Sequence, residues 1–576
     1  MKIFVLFVII LFLVPQNALT QEYVPPKQTK LVETSDITPQ QLSTSYSKLL
    51  QVYIQSLIRE GETFGSNSLR WKKYLNLPWN ESNPDQYPYS QYYFGLYYGN
   101  AGVGTLFLQL YEATNNVTYL HIAEKAGNYL LQAAQLTSWG YAWTRSNDSV
   151  VPYTSEKYGQ AGISYFLLNL YQDSKNTTYL DYALSNLQML YDFRLNTPFG
   201  YAFNYSLPTS AQITDYIYGA TGVAKAYLTA YLITSNKTYL DICIKTMSWV
   251  LNQTEYTSLS ENGLRKVLYS PDSTYWYFFT GYQSGAAGIG DFLLSLYNIT
   301  KQSDYLLYAK QLANWLVYEE NGTGIWSSYN AVDYLTDQYA RNEDGTFVGY
   351  SAGSSGVSIF LMDLYQVTKD NRYLGPVVRA KDYLIKHELT NGSQIYWKVQ
   401  INGTLQNRIQ TGLSVGVAGV ALFLTKYYHM FGAPEALSEL KGINEFYGNI
   451  TTSDGLVPYI VNVPHEDVIY DSTYLEGLTG IALVFLAVMN EVNQKPIYNE
   501  TVLENIPGFT FTDTTNWIPL FHYEGFTAQT GTITSTGTNT NSGSSNTKTT
   551  DFTYLLYALV VILPITGMIR KKKINR

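Results

Sequence analysis

The chain has 576 residues, of which 46% are hydrophobic, and a formal net charge of -8. Only 14% of the residues are charged, against about 25% in typical soluble domains, so much of the surface must be neutral and polar or aromatic. An acidic chain without a basic stripe argues against a nucleic-acid partner, and a single cysteine, Cys243, excludes an intramolecular disulfide and a thiolate-rich zinc site.

The N-terminal residues 1–20 are typical of a secretory signal peptide. A basic residue precedes the almost wholly apolar segment 3–14, and Ala18-Leu19-Thr20 is a suitable small-residue cleavage site. Residues 21–38 are interpreted as an N-terminal extension. An amphipathic stretch then opens a large folded region, which we place at residues 39–495.

Seven segments of this region carry a Gly-x-x-Gly element that opens an apolar helix. Their second glycines lie 60 to 68 residues apart, at Gly102, Gly162, Gly222, Gly288, Gly356, Gly419 and Gly480. The helix after each glycine pair is apolar nearly all round, which predicts burial on every side, and the helix that follows it is amphipathic. Each repeat is thus predicted to supply one inner and one outer helix.

These repeats predict an all-α fold, an (α/α)7 toroid of seven inner and seven outer helices with negligible strand in its core. An open solenoid is the alternative, but it would need polar capping repeats, and the last inner segment, residues 481–489, is as apolar as the others. Glycine at the start of each inner helix would let the backbones approach closely. The helix N-termini would then point partial positive charge at one mouth of the ring.

The C-terminal part of the chain changes in composition. Residues 496–550 are interpreted as a loop followed by a flexible stalk rich in Ser, Thr, Asn and Gly. Residues 552–569 form an apolar stretch just long enough for a transmembrane helix, and the basic tail 570–576 marks the cytoplasmic side. Asn-x-Ser/Thr triplets, which recur from Asn80 to Asn499, indicate glycosylation of an exported protein.

The seven Gly-x-x-Gly hairpins resemble the lanthionine synthetase C-like family over about residues 40–495. The resemblance implies a double helical ring with a zinc-dependent cyclase site. However, Ser351, Ser414 and Val415 stand where zinc cyclases of the family carry two cysteines and a histidine, and Ser284 stands where the fourth repeat often has another histidine. Serine and valine are not suitable zinc ligands, so we expect no metal, no cofactor and no thioether-forming chemistry. Asp215 does match the family's aspartate, seven residues before Gly222.

Carboxylates are the remaining chemical groups near the predicted mouth. The candidate catalytic residues are Asp215, Glu156, Asp471 and Glu476. Paired carboxylates suffice for glycoside hydrolysis, although acidic residues at helix N-termini also serve as caps.

Two functions remain open for this chain. One is a cell-surface protein, held by a single C-terminal anchor with its toroid outside the cell, that binds a glycan or peptide at the mouth. The alternative is a carbohydrate-active enzyme that resembles glycoside hydrolases and uses the mouth carboxylates.

Overall fold

The computed structural model of the protein contains fourteen helices in its described residues. It describes residues 37–77, 91–138, 140–144, 152–207, 210–257, 263–271, 275–327, 329–333, 338–341, 345–398, 400–401, 404–405, 408–461, 468–498, 500–503 and 518–519. The helices are α1 (Pro39–Glu60), α2 (Asn100–Thr114), α3 (Val117–Ala133), α4 (Gln160–Ser174), α5 (Thr177–Asp192), α6 (Ala220–Thr234), α7 (Lys237–Asn252), α8 (Ala286–Thr300), α9 (Ser303–Glu320), α10 (Ser354–Thr368), α11 (Leu374–Lys386), α12 (Val417–Phe431), α13 (Pro434–Ile450) and α14 (Leu478–Glu491). The even-numbered helices are the inner ones and the odd-numbered helices the outer ones.

The helices close into a ring. Each inner helix packs against the next along the chain, and the last, α14, packs against α2. Six hairpins consist of consecutive helices, whereas the seventh joins the two ends of the folded region, because α1 packs as the outer partner of α14. The predicted toroid of seven inner and seven outer helices is thereby confirmed, and closure explains why the last inner helix needs no polar cap.

The burial pattern follows from the two kinds of helix. In α4 almost every side chain from Gln160 to Leu168 is buried, because outer helices cover one side and the centre of the ring the other. The outer helices bury a single stripe. Three of them begin at an asparagine whose side chain accepts a hydrogen bond from the backbone two residues later, at Asn116, Asn176 and Asn236. These exposed asparagines also belong to predicted glycosylation triplets.

Short strands occupy the connections rather than the core. They are β1 (Glu62–Thr63), β2 (Leu69–Arg70), β3 (Gln135–Thr137), β4 (Gly140–Ala142), β5 (Leu195–Thr197), β6 (Gly200–Ala202), β7 (Thr254–Thr257), β8 (Leu264–Val267), β9 (Tyr275–Phe279), β10 (Tyr329–Asp333), β11 (Gln338–Arg341), β12 (Gly345–Thr346), β13 (Leu389–Asn391), β14 (Gln394–Tyr396), β15 (Gln400–Ile401), β16 (Thr404–Leu405), β17 (Ile409–Gln410), β18 (Ile460–Val461) and β19 (Ile518–Pro519). All the pairings between them are antiparallel. Along the chain, the strands from β1 to β18 lie between an outer helix and the next inner helix.

The segment after α14 returns to the ring, because β19 pairs with β7. In the described part of the chain no helix is both long enough and apolar enough to span a bilayer. The predicted signal peptide, residues 1–20, and the predicted anchor, residues 552–569, lie outside the described residues, as does most of the predicted stalk. These three assignments remain predictions.

Candidate functional site at the mouth of the ring

Seven turns, one directly before each inner helix, lie side by side around one end of the toroid. We call them the collar: residues 94–99, 154–159, 214–219, 280–285, 348–353, 411–416 and 472–477. Backbone N–H groups donate to carbonyls of the neighbouring turn at 2.6–3.2 Å, from Leu96 to Glu156, Lys157 to Ile217, Ile217 to Gln283, Gln283 to Ser351, Ser351 to Ser414 and Ser414 to Leu475.

The glycines permit this packing. A Cβ atom built at Gly162 would lie 2.2 Å from the carbonyl oxygen of Glu156, and one at Gly95 would lie 2.3 Å from that of Lys157. Contacts this short are not possible for a methyl group. The prediction that glycine allows close backbone approach at the inner-helix N-termini is therefore confirmed.

Tyrosine rings line the part of the collar that belongs to the first three repeats. Tyr98, Tyr158 and Tyr218 occupy the same position, directly before the first glycine of their repeats, and the rings of Tyr98 and Tyr158 lie 5.4 Å apart. Tyr153 and Tyr205 extend the surface, with centroids 5.8 Å from Tyr158 and from Tyr218 respectively. Most of these rings are half-buried, so they offer partly exposed aromatic faces.

Lys157 lies among these rings. Its Nζ atom is 4.4 Å from the ring centroid of Tyr98, 5.2 Å from that of Tyr158 and 4.5 Å from that of Tyr218, and it donates a hydrogen bond to the Tyr218 hydroxyl. Burial lowers the pKa of Lys157 to about 8, with attraction by Glu476 opposing this shift and repulsion by Lys73 adding to it.

A second lysine pairs with two of the candidate carboxylates. Lys73 Nζ lies 3.8 Å from Asp471 Oδ2 and 3.6 Å from Glu476 Oε2, and the Tyr98 hydroxyl donates to Glu476 Oε1. Burial opposes the charge on Lys73, but the two carboxylates outweigh it and raise its pKa. Burial raises the pKa of Asp471 to about 6, although Lys73 lowers it. Asp471 and Glu476 are therefore brought together, but in an ion-paired cluster with Lys73.

Asp215 occupies a separate place beside Tyr218. Its Oδ1 atom accepts a 2.7 Å hydrogen bond from the Tyr218 backbone N–H. Its Oδ2 atom is buried and has no hydrogen-bond partner of normal length among the described residues, with the Ser284 hydroxyl as a polar neighbour. Burial raises the pKa of Asp215 to about 8, so the carboxyl group is mostly protonated at neutral pH.

Glu156, the fourth candidate, points below the collar into the centre of the ring. It is fully buried and forms a 2.9 Å ion pair with Lys225 of α6, which is 1% exposed. Burial raises the pKa of Glu156 and lowers that of Lys225, because pairing offsets only part of the lost hydration. The structure thus separates Glu156 from the cluster with Lys73, in which Asp471 is buried and Glu476 is partly exposed.

The positions of the expected zinc ligands carry other contacts. The Ser351 hydroxyl donates to the Gln283 side-chain carbonyl, and Ser414 and Val415 are half-buried in the next turn. Within the described residues no group of three or more His, Cys, Asp or Glu side chains is arranged to hold a metal ion.

We expect the purified protein to contain no stoichiometric zinc after dialysis, because neutral hydroxyl and alkyl groups replace the ligands at these positions. Metal analysis by mass spectrometry measures this. The matched control is the triple variant Ser351→Cys, Ser414→Cys, Val415→His, which should gain zinc. One zinc per wild-type chain, retained by the mouth, would contradict the interpretation of these positions.

Sequence reasoning missed the lysines of this site. Lys157 directly follows the candidate Glu156, and Lys225 lies three residues after Gly222. A search for positive charges that could pair with Glu156 could therefore have found both lysines. Lys73 comes from the connection between α1 and α2, outside the repeat pattern, and only the fold brings it to the mouth. The repeated tyrosine before the glycine was the available signal for the aromatic surface.

A family model for lanthionine synthetase C-like proteins matches residues 39–192 and 90–501 of the chain. The chain belongs to the lanthionine synthetase C-like family. This agrees with the resemblance inferred from the glycine repeats. The chain is thus a member of the family that carries Ser351, Ser414 and Val415 at the expected positions of the zinc ligands. No curated protein sequence matches the chain.

Several solved structures are similar to this lanthionine synthetase C-like protein at low identity. D-mannose isomerase is 14% identical, with a TM-score of 0.44 over 70% of this chain and 98% of that one. A family 76 glycoside hydrolase (mannosidase) from Bacteroides thetaiotaomicron is 14% identical, with a TM-score of 0.44 over 78% and 100% of the two chains. An inactive alpha-1,6-mannanase variant from Salegentibacter in complex with alpha-1,6-mannotriose is 15% identical, with a TM-score of 0.40 over 68% and 99%.

Proposed function

We propose that this protein is a cell-surface binding protein that holds a glycan at the mouth of its toroid and carries out no zinc cyclase chemistry. The observation that carries the proposal is the continuous set of tyrosine rings on and beside the first three collar turns, most of them half-buried, which surrounds charged and hydroxyl groups. Sugar rings have flat C–H faces that pack on aromatic rings, and their hydroxyls need polar partners beside those rings.

The polar groups at the mouth can form hydrogen bonds with the neutral hydroxyl groups of a sugar. Asp215 can both donate and accept when protonated, and Glu476 and the Tyr218 hydroxyl offer further hydrogen-bonding atoms. A binding site with a few polar groups among aromatic side chains is the usual form of a small-molecule site. The inner-helix N-termini add N–H dipoles directed at the same opening.

We expect replacement of a mouth tyrosine to weaken glycan binding about tenfold, because one stacked ring contributes about 1–1.5 kcal/mol. The test is a glycan and peptide screen of the purified protein, followed by calorimetric titration of the best ligand with the wild type and with Tyr158→Ala. The matched control is Tyr182→Ala on outer helix α5, whose ring stacks on Tyr141 at 3.9 Å, away from the mouth.

The control variant should bind like the wild type. Equal loss in both variants would show that the effect is not local to the mouth. A screen in which peptides bind and glycans do not would replace the proposed ligand class, and no ligand in either class would refute the proposal.

Hydrolysis of a glycan is the second candidate function. A protonated Asp215 could act as general acid, and Asp471 and Glu476 provide carboxylates at the same mouth. We place it second because Lys73 contacts both of those carboxylates, which lowers their availability as base or nucleophile. Turnover of a bound glycan by the wild type, abolished in Asp215→Asn, would favour this candidate over binding alone.

The location is part of the proposal and rests on the sequence. The apolar segment 3–14, the apolar stretch 552–569 and the basic tail 570–576 support export with a single C-terminal anchor. With this topology the toroid faces the outside, where extracellular glycans are available.

A further inference from the structure

We propose that Lys157 is a reactive amine that forms a Schiff base with a carbonyl compound entering the mouth, such as an aldehyde or the open-chain form of a reducing sugar. The inference concerns covalent capture and does not depend on glycan binding.

Among the described residues, no carboxylate lies within ion-pair distance of the Lys157 amine. Among the described residues it donates to a neutral hydroxyl, that of Tyr218, whereas Glu476 is bound to Lys73 and Tyr98 instead. The lysine is 8% exposed and its backbone N–H is fixed to Ile217 by a 3.1 Å hydrogen bond. The amine is thus poorly hydrated and bonded to the Tyr218 hydroxyl, at the edge of a partly exposed aromatic surface.

A second cation lies nearby. The Nζ atoms of Lys73 and Lys157 lie 4.2 and 4.4 Å from the same ring centroid, that of Tyr98. Lys157 also precedes the N-terminus of α4 by three residues, where the helix dipole disfavours a positive charge. Low hydration and an adjacent cation are the two conditions that make a lysine nucleophilic at neutral pH.

The charged groups around Lys157 shift its pKa in opposite directions. Glu476 and Asp215 favour the ammonium, whereas burial and Lys73 disfavour it, and the result is a pKa of about 8. The three tyrosine faces also attract the ammonium but cannot pair with it as a carboxylate would. The charged and titratable groups facing the amine are Lys73, Tyr98, Tyr158, Asp215, Tyr218 and Glu476.

The reaction needs no oxidant, reductant or metal. The lone pair of the neutral amine attacks the carbonyl carbon, a C–N bond forms, and the carbonyl π electrons move to oxygen. The oxygen takes a proton from Asp215, and the attacking nitrogen then returns a proton to the Asp215 carboxylate. The carbinolamine next loses its hydroxyl, protonated by Asp215, as water, while the nitrogen lone pair forms the C=N bond. The remaining N–H proton passes to Asp215, so the products are an imine and one water.

The experiment is reductive labelling of the full-length wild-type protein with propionaldehyde and sodium cyanoborohydride at pH 7, followed by peptide mapping with mass spectrometry. The exposed lysines Lys175 and Lys237 are internal references. We expect Lys157 to be modified at least tenfold faster, because a pKa of about 8 gives it a neutral fraction at pH 7 roughly 200 times that of an ordinary lysine.

The pH profile separates a reactive amine from simple accessibility. Labelling of Lys157 should pass through a maximum near pH 8, because the amine must be neutral and Asp215 must be protonated, whereas labelling of an ordinary lysine rises towards pH 10. Asp215→Asn should slow labelling of Lys157 at least tenfold without changing the references. Labelling of Lys157 no faster than the references, or a parallel pH profile, would overturn the inference, and neither outcome depends on a variant that must fold.

Discussion

Lys225→Met should lower the free energy of unfolding by about 3–5 kcal/mol, because it leaves the Glu156 carboxylate without its partner in the centre of the ring. The two groups lie 2.9 Å apart and are almost completely excluded from solvent. The Tyr165 and Tyr216 rings, 4.3 and 5.0 Å from Lys225 Nζ, leave little room for water to replace the lost contact. Urea unfolding followed by far-UV circular dichroism measures the loss as a lower midpoint.

The double variant Glu156→Gln, Lys225→Met is the control for this prediction. It removes both charges at nearly constant volume, and replacement of a whole buried ion pair is often close to neutral. We therefore expect it to recover most of the stability lost in Lys225→Met. A double variant as unstable as the single one would show that side-chain packing, rather than the unpaired charge, causes the loss.

Gly288→Ala should destabilise the protein by about 3 kcal/mol or more, because the new methyl group would overlap the collar backbone. A Cβ atom at this position lies 1.7 Å from the carbonyl oxygen of Tyr282. That oxygen belongs to the turn that leads into α8, so relief requires the turn and its bonds to neighbouring turns to move. Thermal unfolding of the wild type and the variant under identical conditions provides the measurement.

Gly448→Ala is the matched control, since it makes the same chemical change in an exposed turn of α13. The nearest atom to its Cβ would be Leu49 Cδ1, at 4.0 Å. A helical glycine without a packing constraint is expected to gain up to about 1 kcal/mol on replacement by alanine. If Gly288→Ala were as stable as Gly448→Ala, close backbone approach would not be the reason for glycine in the collar.

Much of the fold could be predicted because the pattern that specifies the toroid is local in the sequence. The glycine spacing, the apolar inner segments and the amphipathic outer segments are each properties of neighbouring residues, and all seven repeats carry them. The packing of α1 against α14 was harder to predict, since α1 lies more than 400 residues earlier in the chain. Of the candidate site residues, the sequence placed Asp215, Asp471 and Glu476 near the mouth, because a fixed distance from a glycine fixes a position on the collar.

The direction of a side chain on the collar could not be predicted in the same way. Glu156 and Lys157 are consecutive, yet Glu156 enters the interior and Lys157 faces the aromatic surface. Neighbouring residues of this turn point to different sides of the collar, so a shift of one position changes the role of a residue. The ionisation of each group then depends on the surrounding elements.

The sequence by itself determined the helical ring, the number of repeats and the absence of cysteine and histidine from the positions of the expected zinc ligands. These features depend on periodicity and residue type, which are visible along the chain. Only the tertiary structure decided that Lys225 neutralises Glu156 and that Lys73 pairs with Asp471 and Glu476. It also decided that Lys157 lies beside tyrosines, with no carboxylate partner in the part of the chain that the structure describes. The physical reason is that ion pairing and burial depend on distances between residues far apart in the chain, which ring closure sets.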